Sequence, residues 1–231
     1  MTLSLDKLWT DSRAFLSDRF QELALIAGAF IFLPNLAFLY LISQPARIQE
    51  ASASWIIGYL GVSIINVFAT LAIVALVFRP SLSSGSAIRI AARIFPKAIV
   101  VWLLFSVAIL AGLTLLILPA FYIYGRLWLV LPALVDEPER AITATFSRSW
   151  AMTEGNVLKA IALGAVLALA FILLTLPVAA AGALDVLLGL SDSDSPKIGL
   201  LAGLGSALVS ALIGTAYAIF RGFAYRQLTG R

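Results

Sequence analysis

The residue of this chain whose chemistry most needs explaining is an arginine inside an apolar run. Arg126 lies in LILPAFYIYGRLWLVLPALV, about six residues or ~9 Å into a helical crossing that begins at Ala120. A guanidinium held there against lipid costs at least about 2.5 kcal/mol, so the residue calls for a cavity or a compensating group. No acidic residue falls within the first four apolar runs. The available compensators are carbonyls freed at Pro119, the ring of Tyr122 one turn earlier, or a lipid phosphate. One reading makes Arg126 a structural pin of the hairpin that contains it; the other makes it an anion or lipid-headgroup site. Asn35 and Asn66 are amides inside the first two apolar runs, and they either bond across helices as packing glue or line a polar pocket.

Other chemistry is sparse. The chain has no cysteine and no histidine, which removes thiolate nucleophiles, iron-sulfur ligation, and the commonest metal ligand and proton shuttle. No intramembrane carboxylate pair offers acid-base catalysis. Asp192 and Asp194 in SDSDS have no further fixed ligands beside them and read as a solvated loop, not a cation site. The expectation is a non-enzymatic protein without metal or cofactor.

The elements that carry these residues follow from composition. With 61% hydrophobic and 12% charged residues among 231, the chain is too apolar for a soluble domain, whose charged fraction is about 25%. The apolar runs are long and unalternating, so they read as helices and not barrel strands. The fold class is an all-α membrane protein, one polytopic domain over residues 1–231. Its six spans fall at about 23–42, 55–78, 98–118, 120–135, 157–184 and 198–220. Pro119 should break the chain between spans three and four, and Pro177 should kink span five.

Three amphipathic stretches precede the odd-numbered spans. Residues 3–21 set Leu5, Leu8, Trp9, Leu16 and Phe20 among charges, and residues 81–97 repeat arginine and isoleucine at i,i+4 through Arg89 and Arg93, Ile90 and Ile94. In the third, Asp136 and Glu139 have capping-box spacing, Pro138 falls in the first turn and Gly155 offers a left-handed stop. These are expected as cytoplasmic surface helices. The N-terminal stretch lacks the apolar core and small-residue cleavage site of a signal peptide.

Lys and Arg divide unevenly. Lys7, Arg13, Arg19, Arg79, Arg89, Arg93, Lys97, Arg140, Arg148, Lys159, Arg221, Arg226 and Arg231 fall on one face, and Arg47 and Lys197 on the other. The positive-inside rule then makes both termini cytoplasmic. Arg89, Arg93, Arg140 and Arg148 are expected as a lipid-facing basic belt, with anionic membrane lipids as partners. The net charge of +4 reflects this topology and not nucleic-acid binding. Small residues recur every four positions at Ala160, Gly164 and Ala168 in span five and at Ala202, Ser206, Ser210 and Gly214 in span six, as close packing within the chain or a homo-oligomer seam.

The joints DRFQELALIAGAF, RIFPKAIVVWLLF and EGNVLKAIALGAV can be set in one register with Phe20, Phe95 and Asn156 equivalent. Either the chain is three parallel copies of surface helix plus hairpin, with spans one, three and five about a pseudo-threefold axis, or oily segments match by chance.

Over residues 119–155, Pro119, Arg126, Pro132, Glu137, Ala141, Ser149, Trp150 and Gly155 match the pattern of a bacterial membrane-domain family. The chain resembles that family, named for its fusion to glycerophosphoryl diester phosphodiesterases, and its YciC-like relatives. The resemblance implies a six-helix inner-membrane protein. The phosphodiesterase of the fused members is a separate soluble barrel for which this chain has no room. The function expected is a lipid-interacting or envelope scaffold. The alternative is a transporter or permease of a small anionic or amphipathic solute, which a polar cavity between the spans would favour.

Overall fold

The computed structural model describes residues 2–42, 44–45, 50–188 and 199–230. Arg47, Asp192, Asp194, Lys197 and Arg231 lie outside them. The protein is an all-α membrane protein, and its described residues contain six helical segments long and apolar enough to cross a bilayer.

Helix α1 (Leu5–Asp18) is capped by Ser4, whose hydroxyl accepts from the Lys7 amide. The first span comprises α2 (Phe20–Ala27), a π-turn over Gly28–Phe32 and α3 (Leu33–Leu41). Pro34 supplies no N–H to the preceding turn, and the wider π-turn relieves the clash its ring would make. The Asn35 amide then donates to the Ile31 carbonyl at 2.7 Å. Span two is α4 (Ala53–Phe78), with the Ser52 hydroxyl accepting from the Trp55 amide at its N-terminus.

Residues 84–97 do not form a separate surface helix. They belong to α5 (Ser84–Leu115), which continues through Pro96 into span three. The reason lies in the buried stripe Ala87, Ala91, Ile94, Ala98 and Val101, whose spacing of four and three keeps one face turned inward across the proline. The break expected at Pro119 comes earlier, at Leu116, and Pro119 sits in the first turn of α6 (Ile117–Leu127), where a missing donor costs nothing. Gly112 makes this tight hairpin fit, since a Cβ there would stand 2.8 Å from the Ala120 Cα.

Span four is not continuous. After α6 the chain turns at Trp128 and Leu129 and resumes as α7 (Val130–Asp136). The capping box expected at Asp136 and Glu139 is absent, because Asp136 closes α7 and α8 (Ile142–Met152) begins after Ala141. Gly155 does take the left-handed conformation, with φ 73°. Spans five and six are α9 (Val157–Leu187), with Pro177 inside it, and α10 (Leu200–Thr229).

The core sits at the end of the bundle that bears both termini, where the Ser4 amide reaches the Gln227 side chain. There Leu71, Ile73, Leu76, Leu134, Ala224 and Tyr225 are buried, enclosed by α1, the first half of α5, and α8. Phe15 packs edge-on against Phe223, and Trp9 stacks on Phe220. Toward the other end the helices carry outward-facing Ile57, Leu110, Leu116, Leu173 and Leu200. A continuous apolar girdle of this kind is compatible with a bilayer and not with water. Helices α4 and α10 form the central pair, whereas α9 packs on α10 and α6. Spans one, three and five each pack between two of the spans two, four and six, which contact one another, a pattern compatible with the threefold arrangement. At the three joints, Phe20 opens a helix, Phe95 lies within one, and Asn156 precedes one.

Asp185, just past the expected end of span five at 184, is fully buried within α9 and caps α10: its carboxylate accepts from the Leu201 amide at 3.0 Å and the Ala202 amide at 2.9 Å. Replacing Asp185 by alanine should strand both donors and lower stability in detergent by about 1–3 kcal/mol. Asp185→Asn, which keeps an acceptor oxygen, should lose less. Thermal unfolding of the two variants checks this, and an unchanged midpoint for Asp185→Ala would remove the cap's role.

Candidate functional site

The site grows out of the interruption in span four. In a continuous helix the amide of residue 132 would bond to the Trp128 carbonyl, but residue 132 is proline, which has no N–H and whose ring clashes with that carbonyl. The helix parts at Trp128 and Leu129, and the freed Trp128 oxygen accepts from Arg221 Nε at 2.6 Å. Two residues earlier, the Arg126 carbonyl has lost its helical donor and accepts from Ser149 Oγ at 2.9 Å and Thr153 Oγ1 at 3.0 Å. Both hydroxyls are buried on α8. The groups that satisfy the broken span thus come from a span and from an amphipathic helix.

The Arg126 side chain points into protein and is only 7% exposed. Its guanidinium carbon lies 4.6 Å from the centre of the Trp150 ring and 5.8 Å from that of Tyr122, and the two rings meet edge to face at 5.9 Å. Tyr122 was legible as a neighbour from its spacing of four. Trp150 was not, because it comes from α8. The freed carbonyls are those upstream of Pro132, and not those at Pro119.

Asn35 and Asn66 meet each other and not Arg126. Asn35 Nδ2 donates to Asn66 Oδ1 at 3.4 Å, and Asn66 faces a cleft of about 290 Å³. Ser63, Asn66 and Thr70 of α4 form one wall, Trp102 and Phe105 of α5 a second, and Ser210, Gly214, Tyr217 and Arg221 of α10 a third. Val130 and Leu131 lie beside the break. The wall residues on α10 extend over about 16 Å along its axis. Tyr217 is held by the Tyr124 hydroxyl at 3.1 Å, and its ring carries the Arg221 guanidinium at 5.0 Å.

Most of the lining is apolar, and polar groups are few. The hydroxyls of Ser63, Thr70 and Ser210 donate back to carbonyls of their own helices. The Asn66 amide nitrogen and the terminal nitrogens of Arg221 make no hydrogen bond to any described residue, and no carboxylate lines the walls. Such a lining suits a group rich in acceptor oxygens. The sequence places Arg221 just past the expected end of span six, among the cations of the cytoplasmic face. Its signal was the pairing of Tyr217 and Arg221 at i,i+4 with an interior proline in another span.

The expected basic belt is only partly lipid-facing. Arg89 bonds Ser86 and Arg93 stays exposed beside Glu139, but Arg140 pairs with Glu137. Arg148 turns inward to Glu137 at 2.7 Å and Asp136 at 3.4 Å, and donates to the Tyr225 hydroxyl at 2.8 Å. That hydroxyl donates in turn to Asp136. The carboxylates at the end of α7 draw these two arginines away from the surface. The small-residue stripes also split: Gly164 receives the Tyr124 ring, Ala168 is exposed, Ala202 adjoins Gly182 of α9, and Ser210 and Gly214 line the cleft.

The two hydroxyls on the Arg126 carbonyl should back each other up. Ser149→Ala or Thr153→Val alone should cost at most about 1 kcal/mol, and the double variant about 1–3 kcal/mol, more than the sum, because only then is a buried carbonyl abandoned. A double-mutant cycle by thermal unfolding measures this, and strict additivity would contradict it. No family model, curated protein or solved structure matches this chain, so the reading of the site rests on its geometry.

Proposed function

We propose that this protein is a non-enzymatic, multi-pass transporter or permease that receives the anionic end of a small or amphipathic solute in the cleft between α4, α5 and α10. The observation that carries this reading is the cleft itself, whose one charged lining residue among those described is Arg221, facing the unmatched Asn66 amide. A polar cavity beside a broken helix is the arrangement by which transporters coordinate solute within a bilayer. A volume of about 290 Å³ fits a compact anion or the head of an amphiphile. A scaffold role asks only for a filled bundle, and the cleft weighs against it. The resemblance over residues 119–155 supports a place among bacterial inner-membrane proteins of the phosphodiesterase-associated membrane-domain family.

The termini lie on the cytoplasmic side, on the strength of the Lys and Arg distribution. The buried end of the bundle then projects toward the cytoplasm. An alkaline-phosphatase fusion at Ser193 should be active and one at Ser84 inactive; the opposite pair of activities would reverse the orientation.

Ligand binding is testable without knowing the natural solute. Octyl phosphate, octyl sulfonate and octanoate should each raise the unfolding temperature of the purified protein, whereas neutral octyl glucoside should not. Asn66→Leu, which removes a donor and narrows the cleft, should weaken the anion effect about tenfold, equivalent to ~1.4 kcal/mol. Equal stabilisation by neutral and anionic amphiphiles, or an undiminished response in Asn66→Leu, would sink the proposal.

A further inference from the structure

Arg126 raises a separate question, because nothing in the cleft involves it. Its side chain is more than nine-tenths buried, yet the buried Nε has no hydrogen-bond partner, and none of its guanidinium nitrogens bonds a described residue. Aromatic faces attract the cation but satisfy no N–H donor. A guanidinium enclosed in this way is costly unless an anion completes it.

The surroundings identify where that anion would come from. Trp150 and Tyr122 are 39% and 48% exposed, so the arginine lies directly beneath the outer surface and not at the centre of the bundle. Next along the chain from Tyr122 and from Val157, Phe121 and Leu158 are exposed apolar side chains. In depth, Arg126 is level with the joint between α8 and α9, since Gly125 abuts Val157 and the Arg126 carbonyl is held by α8. There the buried core gives way to the apolar girdle, which is the depth of phospholipid head groups in a bilayer. Tryptophan and tyrosine at such a boundary have one apolar end and one wet end.

We propose that Arg126, covered by Trp150 and flanked by Tyr122, binds the phosphodiester of a bilayer phospholipid whose acyl chains lie over Phe121 and Leu158. The planar guanidinium presents paired donors to phosphate oxygens, and the Trp150 ring fixes its plane. The site is independent of the cleft, and neither proposal requires the other.

Native mass spectrometry of the detergent-purified protein tests it, with phosphatidylglycerol, the diacylglycerol of the same chains, and inorganic phosphate as probes. The wild-type protein should retain phosphatidylglycerol and not diacylglycerol, and millimolar phosphate should not displace the lipid. Arg126→Gln should reduce retention about tenfold, and Asn66→Leu should leave it unchanged. Should Arg126→Gln fail to fold, Trp150→Leu keeps the charge while removing the ring above it, and a several-fold loss of lipid is expected. Undiminished retention in the variant that folds overturns the site, as does equal retention of diacylglycerol. Displacement by free phosphate would make it a soluble-anion site and overturn the lipid assignment.

Discussion

The Trp128 carbonyl, released by Pro132 and captured by Arg221, is the interaction on which the rest of this structure leans. An unsatisfied buried carbonyl costs about 1–3 kcal/mol, so a proline within a span is tolerated only where another element supplies a donor. Here the donor is an arginine of α10, and a charge-assisted bond at 2.6 Å joins the middle of span four to the far end of the sequence. The same break releases the Arg126 carbonyl, which draws in Ser149 and Thr153. One missing N–H therefore fixes three elements in relation to one another.

That linkage accounts for the two-layered character of the molecule. Helix α8 cannot lie loosely on a membrane surface while two of its hydroxyls are bonded to span four, and it packs against α7 instead. The carboxylates at the end of α7 then gather Arg148 and the Tyr225 hydroxyl, closing a polar seam around the core at the terminal end. Beyond the break the described residues form no such seam, and helices meet there through small residues, as where Gly203 admits the Tyr40 ring and Gly182 adjoins Ala202. Lipid takes the place of protein around them.

The class of fold and the spans were legible because apolar length alone distinguishes a membrane helix. Local devices were legible where they depend on neighbours in sequence: Tyr122 beside Arg126 and the left-handed Gly155. What could not be read depends on partners far along the chain. Pro132 is as visible in the sequence as Pro119, but the donor that answers it is 93 residues from Trp128. Arg221 and Arg148 look like members of a basic fringe until the carbonyl and carboxylates that hold them are known. The capping-box spacing of Asp136 and Glu139 misled because Asp136 is engaged by Tyr225. The surface helix expected over residues 81–97 failed for another reason: its buried stripe is in phase with span three, and a phase shared across a proline outweighs the proline.

Neither of the two arginines beside the break is paired with a carboxylate among the described residues. Arg221 spends its Nε on a carbonyl, which is neutral, so its charge remains to act on the cleft. Arg126 likewise meets aromatic faces, which attract a cation without cancelling it. A carboxylate beside either would stabilise it more strongly but would leave no field for a ligand. At the terminal end the opposite choice is made, and Arg140 and Arg148 are neutralised by Glu137 and Asp136. Arg140 and Arg148 are paired with acids, whereas Arg221 is held by a carbonyl and a ring and Arg126 by two rings.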